Sequence, residues 1–237
     1  MTKQKSKDPN GGARGRILMA AAEEFAQRGF DGARVDQIAR RAGVNKAMLY
    51  YHVGDKTALY EQVLTEAVAE ASVRIREGVL GRETPEGKVL AIAQAFEDLA
   101  RAKPHMPRIM LREMAAEGRN LPAPVLKLLA GIILIEKTIL DGAARSGRFR
   151  SANPLSVHVL LVGGIMLHLA ARSLRERMDG RARGSFPEPT RYPAETVSDL
   201  LLHGLVRPGE GKPGDGAAKR ASRRVLRRQS RMKEECS

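Results

Sequence analysis

The chain of 237 residues has no tryptophan, four tyrosines, five phenylalanines and one cysteine. Aromatic residues make up 4% of it, against 43% hydrophobic residues in all. A core built from Ala, Leu, Val and Ile with few rings suits packed helices better than a sandwich or barrel. Cys236 has no partner for an internal disulfide, and no histidine framework marks it as a nucleophile. A lone thiol fits a reducing compartment, so a cytoplasmic location is expected. Long hydrophobic runs are missing as well. The longest, VHVLLVGGIMLHLAA at 157–171, contains His158 and His168 and is shorter than the roughly 20 residues a membrane span needs. The run ILMAAA stops at Glu23–Glu24, too early for a secretory core. No membrane partner is expected. His105, His158, His168 and His203 are scattered, without ligand spacing, so no metal or other cofactor is expected. No nucleophile–base arrangement and no phosphate-binding glycine loop occurs, which argues against an enzyme.

Charge is present, and unevenly placed. The net charge of +14 points to a polyanionic partner. Residues 1–16 carry +4 and residues 208–237 carry +5, so the long middle holds only +5. The ends, 1–12 and 208–237, read as a flexible basic arm and a disordered basic tail.

Between them the pattern is helical. Ile17, Ala20, Ala21, Glu24, Phe25 and Arg28 follow three- and four-residue spacing from Ala13, with Gly29 as the stop. Phe30 and Val35 are expected to plug a small core. Residues 35–42 form a short amphipathic helix with Val35, Ile38, Ala39 and Ala42 inward, and Gly43 supplies a left-handed stop. Asn45 caps a helix over Lys46–His52. Asp55 caps a long one from Lys56 to about Leu80. Prolines then punctuate helices at about 85–102, 104–117, 122–146, 154–178 and 193–206. Residues 179–193 read as a loop, and RRVLRRQSR in the tail as a transient helix. The expected fold is all-α, with about nine helices.

The stretch VNKAMLYYHVGDK, 44–56, stands out because Tyr50, Tyr51 and nearby Tyr60 are three of only four tyrosines. Two short helices joined by Gly43-Val44-Asn45 after a longer one match a helix-turn-helix, whose second helix lies in the major groove of DNA. At about 100° per residue, Leu49 pointing inward leaves Ala47 and Tyr51 outward and Tyr50 to one side. Alanine can touch a thymine methyl, Lys46 can reach guanine, and tyrosine hydroxyls can bond phosphates or base edges. Lys56 stands at a helix N-terminus, where a phosphate is already favoured.

The segment ILMAAAEEFAQRGFDGARVDQIARRAGVNKAMLYYHVGDKTALYEQVL resembles the DNA-binding head of the TetR family of transcriptional regulators over about residues 14–64. The order Phe-x-x-x-Gly-Phe, Val-x-x-Ile-Ala-x-x-Ala-Gly-Val, Leu-Tyr-x-His-x-x-x-Lys carries the resemblance. It implies an all-helical homodimer with a variable C-terminal domain that binds a small ligand. It assigns Lys46, Ala47, Tyr50, Tyr51 and His52 to the recognition helix and Lys56 to a phosphate anchor. Two positions depart from the pattern. Ala33-Arg34 replaces a usual Ser or Thr cap, which weakens the cap or lets Arg34 reach a phosphate. Met48 replaces a small or hydroxyl residue. Residues 17–66 carry six Lys/Arg and seven Asp/Glu, so Arg14 and Arg16, ahead of the first helix, are expected to add DNA affinity.

The organisation expected is therefore 1–12 arm, 13–55 DNA-binding head, 56–207 ligand-binding and dimerisation domain, and 208–237 tail. Phe96, Met106, Ile109, Met110, Met114 and Leu134 are candidate pocket residues, since methionine adapts to varied apolar ligands. The resemblance implies that the last two helices pair with their twins. Val159, Gly163, Gly164, Met166, Leu167, Leu200, Leu201 and Leu205 are the candidate interface. Gly163–Gly164 fits either close approach of a partner helix or a local kink. The reading is a repressor, bound to a palindromic operator on double-stranded DNA and released by a small apolar or amphipathic ligand. The rival is a sequence-indifferent nucleic-acid binder driven by its basic tails.

Overall fold

The computed structural model describes residues 12–171, 174, 176–178 and 193–206. The expected arm, the loop at 179–192 and the basic tail lie outside them. The described residues form α1 (Gly12–Gly32), α2 (Val35–Ala42), α3 (Lys46–Val53), α4 (Lys56–Leu80), α5 (Pro85–Ala102), α6 (Met106–Ala115), α7 (Ala123–Arg145), α8 (Pro154–Ala170) and α9 (Pro193–Leu205). Among the described residues no strand forms, only one isolated bridge between Phe149 and Val206. The all-helical expectation is borne out.

Side-chain capping explains four helix starts. The side chain of Asn45 accepts from Met48 N at 2.7 Å, Asp55 from Ala58 N at 2.8 Å, Thr84 from Gly87 N at 3.1 Å and Asn153 from Ser156 N at 3.2 Å. Pro85 and Pro154 occupy the first turn behind their caps. Helix α2 differs. Arg34 holds its N-cap position without a side-chain bond. A fully buried carboxylate compensates: Glu24 Oε1 of α1 lies 3.4 Å from Arg34 N. Arg28 and Arg41 pair with that same carboxylate at 3.1 and 3.6 Å.

Four boundaries differ from those expected. Helix α1 breaks at Gly29 (φ 71°, ψ 178°), a conformation that favours glycine, but a further turn follows to Gly32. Pro104 does not open α6. It sits second in a turn closed by Met106 N donating to Lys103 O at 3.0 Å, and Pro107 takes the first helical turn instead. Helix α6 ends at Ala115 because Glu117 and Gly118 both take positive φ, and Gly118 N donates back to Glu113 O at 2.7 Å. Helix α8 ends at Ala170, with Ala171 at its cap, and residues 174 and 176–178 are helical again. It runs unbroken through Gly163–Gly164, so these glycines do not mark a kink. A Cβ on Gly164 would lie 3.3 Å from Val197, so that glycine admits α9 of the same chain.

Helices α1 and α3 pack on α4, α2 packs on α1 and α3, and α4 continues into the body, where it packs on α5 and α7. The junction between head and body is aromatic and polar together. Phe25 and Phe30 lie 4.6 and 5.0 Å, centroid to centroid, from the ring of Tyr60, which is 1% exposed. Tyr60 donates to Glu113 Oε1 of α6 at 2.6 Å. The neighbouring Arg112 donates to Ala26 O at 3.0 Å and Gln27 O at 2.7 Å, just before the break in α1. Two consecutive residues of α6 thus hold α4 and α1.

Candidate nucleic-acid interface

Gly43 links α2 to α3 in the left-handed region (φ 65°, ψ 37°), which a side chain would strain. Its N–H closes the end of α2 on Ala39 O and Arg40 O. Helix α3 then stands on Leu49 and Val53, both buried, and turns the rest outward. Tyr51 is 86% exposed and Tyr50 42%, with Lys46, Ala47 and Met48 also exposed and His52 half-buried against Tyr51. The outward face expected from helical geometry is present. Met48 joins it.

The three neighbouring tyrosines separate here. Tyr50 and Tyr51 point to solvent while Tyr60 is sealed in the core. Burial, reinforced by the Glu113 hydrogen bond and charge, pushes the Tyr60 phenol well above its ordinary range. It remains a donor at any working pH.

The expected basic residues are placed in several ways. Lys46 Nζ lies 2.9 Å from Asp36 Oδ1, across from the first turn of α2. The hydrogen bond and charge of Lys46 hold the Asp36 carboxyl below its ordinary value, and Asp36 raises the ammonium in return. Arg34 is exposed at the start of α2. Arg14 and Arg16 do not project freely. Arg14 is held by Glu66 at 2.7 Å and Gln62 at 2.9 Å, both on α4, and Arg16 Nε donates to Ala42 O at 3.2 Å. Helix α1 packs on both α4 and α2, which brings these acceptors within reach. Lys56 turns back as well: its Nζ donates to Asp31 O at 3.0 Å and sits 4.9 Å from the Phe30 ring centre.

The candidate pocket residues do not converge on one cavity wall. Phe96, Met106 and Ile109 are buried and Met110 is half-buried. Met114 and Leu134 are 53% and 61% exposed, and so face away from the interior. Helix α7 turns Val125, Ile132, Glu136, Ile139 and Ala143 inward at three-, four- and seven-residue spacing, and Leu134 falls off that stripe. The inward face includes a pair that the scattered histidines did not suggest. Glu136, 3% exposed, meets His158 Nδ1 at 2.9 and 3.1 Å, and the edge of Phe96 lies against the same imidazole. Four glutamates are buried, Glu24, Glu97, Glu113 and Glu136; of these only Glu24 was placed on an inward stripe by the sequence. Each sits at a position that helical periodicity makes inward, and each meets a donor from a distant element or its own helix. Among the described residues no three side chains could hold a metal ion, and no helix is long and apolar enough to cross a membrane.

Of the candidate interface residues, Val159, Leu167 and Leu200 are exposed and Gly163, Gly164 and Leu201 half-buried. Met166 and Leu205 are instead buried within their own chain, since α8 turns Met166 with Ile165 inward and α9 turns Leu205 toward the core. Leu155 and Leu160 join the exposed face.

Residues 17–63 match the family model described as bacterial regulatory proteins, tetR family. The HTH-type transcriptional activator FasR of Mycolicibacterium smegmatis is 37% identical over 90 residues, 38% of this chain and 41% of that protein. The HTH-type transcriptional repressor NicS of Pseudomonas putida is 28% identical over 206 residues, 82% of this chain and 92% of that one. The fold matches the FadR transcriptional regulator of Bacillus subtilis in complex with stearoyl-CoA, with a TM-score of 0.59 at 18% identity, over 80% of this chain and 97% of that one. Helix-turn-helix geometry, the exposed face of α3 and these likenesses agree: residues 17–63 form a DNA-binding domain of the TetR family, and the fold of the rest of the chain is similar to that of transcriptional regulators.

Proposed function

We propose that the chain is a ligand-released repressor that binds a palindromic operator as a homodimer, and not an enzyme. The observation that carries the reading is α3 itself. It is capped by Asn45, seated on buried Leu49 and Val53, and offers Lys46, Ala47, Tyr50 and Tyr51 together. Such a helix enters a major groove without rearranging. Tyr50, Tyr51 and Lys46 would contact base edges and phosphates, with His52 beside them and Arg34 on a flanking phosphate. Arg14, Arg16 and Lys56 would reach phosphates only by exchanging their present partners.

The exposed leucines of α8 and α9 support pairing with a second copy, because a contiguous apolar surface is costly to leave in water. A two-fold dimer reads a two-fold site, with half-sites about one helical turn, roughly 34–36 Å, apart. The ligand would enter the body among α5–α8. The stearoyl-CoA complex of the FadR neighbour supports an apolar or amphipathic one. The relatives include an activator and a repressor. Repression is chosen because release by ligand needs only that the ligand disfavour the head spacing that fits DNA.

Selection of genomic fragments with purified protein, followed by footprinting, tests this. Two-fold sites protected over successive major grooves are expected. Equal protection of any duplex, with steep salt dependence, would replace the reading by sequence-indifferent binding.

A further inference from the structure

A cleft of about 680 Å³ opens where the head meets the body. One wall comes from α1 and the end of α2, the other from the turn between α5 and α6, with Val63 and Glu66 of α4 between them. The volume falls in the range of small-molecule sites, roughly 300–1,000 Å³. Its apolar lining is Leu18, Met19, Val63 and Met106. Val63 and Met106 are nearly sealed, but Met19 is 59% exposed, a large apolar side chain with nothing over it.

The polar lining has a sign. Its two carboxylates are already matched: Glu23 by Arg41 at 3.3 Å and Glu66 by Arg14 at 2.7 Å. The remaining groups are Arg16, Lys103 and His105. Arg16 gives one N–H to a neutral acceptor, Ala42 O. Lys103 lies 3.4 Å from Glu70, which Arg74 engages more closely at 2.9 Å, so two cations share one carboxylate. Positive charge is therefore left over at the rim of an apolar cleft. Cations at the edge of an apolar floor favour a ligand that brings both a compensating anion and an apolar body.

We propose that this junction cleft binds an amphipathic anion: a carboxylate, sulfonate or phosphate monoester on an apolar chain. The anion meets Lys103 and Arg16, and the chain lies over Met19, Leu18 and Met106. The site is separate from the cavity expected within the body. It touches the head on one side and the α5–α6 turn on the other, so occupancy ties the two together.

The probe is 11-(dansylamino)undecanoic acid, titrated into the full chain without DNA and followed by dansyl emission, with its methyl ester as the uncharged control. Saturable blue-shifted binding of the acid is expected, with the ester at least about tenfold weaker. Met19→Asp attacks the floor and Lys103→Glu the rim. Both residues are exposed enough to change without disturbing the core, and melting curves without probe check that the variants fold. Each should weaken the acid by at least about tenfold. Equal binding of acid and ester, or wild-type affinity in both folded variants, would overturn the site. The titration involves no operator, so its failure and the failure of the repressor reading are read separately.

Discussion

Helices α3 and α8 both expose large side chains, and they expose different chemistry. Helix α3 offers Tyr50, Tyr51 and Lys46, each ending in a hydrogen-bonding group. Helix α8 offers Leu155, Val159, Leu160 and Leu167, which end in methyl groups. A surface that must exchange water for phosphates and base edges needs donors at the tips of its side chains. A surface that must exclude water needs none. Exposure is common to both faces, and the terminal atoms separate what each is suited to contact. The foundations differ as well. Helix α3 is short and depends on a small core it shares with α1, α2 and α4, while α8 is packed against α5, α6, α7 and α9.

The comparison breaks most severely at that small core. Phe25 is fully buried at the centre of the aromatic cluster. Phe25→Ala should cost roughly 3–5 kcal/mol by urea denaturation, and operator affinity should fall with it. If stability falls while operator affinity holds, α3 does not depend on this core. On the other side, Leu160→Asp with Leu200→Asp should weaken self-association by at least about a hundredfold, or about 2.7 kcal/mol. Sedimentation checks this, and an undisturbed dimer would move the interface elsewhere.

Tyr60→Phe lies between the two regions. It keeps the ring but leaves the Glu113 carboxylate short of its donor, and should cost about 1–3 kcal/mol. A neutral result in thermal melting would mean that Asn120, 3.5 Å from Glu113 Oε1, replaces the phenol. Tyr50→Phe and Lys46→Ala sharpen the contrast on α3. Each should lower operator affinity by roughly tenfold with an unchanged melting temperature, and a parallel loss of stability would assign them to packing.

The smallest effect belongs to Asp36. Its carboxyl is held below the ordinary value of 3.8, so the pair with Lys46 adds stability above that pH and loses it as pH falls through the folded value. The Lys46 ammonium is raised above 10.5, so at the alkaline end the same stability is lost as pH rises through its folded value. Asp36→Asn should remove both dependences and leave melting near pH 7 almost unchanged, because the pair is exposed and screened. It should also free Lys46 and raise affinity for operator and random duplex alike, which a low-salt titration measures.

The head was readable in fine detail because its signals are short-range. Gly43, Asn45 and Asp55 act within three or four residues of themselves, so α2, and α3 and α4 at their starts, lie where their residues place them. The outward face of α3 followed from one anchor, Leu49, and helical spacing. The body was readable only as helices between prolines. Which way α7 turns depends on what α5 and α8 present to it. That choice buried Glu136 against His158 and put Leu134 outside.

The sequence by itself determined that this is an all-helical chain with a helix-turn-helix head, where most helices start, and which side chains of α3 face outward. Those are properties of spacing, of capping and of residue type. Tertiary structure decided what depends on residues far apart in the chain. It brought Glu24 to the uncapped start of α2, turned Arg14 toward Glu66, and separated Tyr60 from Tyr50 and Tyr51 by giving it Phe25, Phe30 and Glu113. It also left Met19 uncovered in a cleft that Met106 lines too, across a junction the linear pattern does not record. Capping bonds span three or four residues and can be read locally. Burial is settled by whichever distant helix arrives at that face.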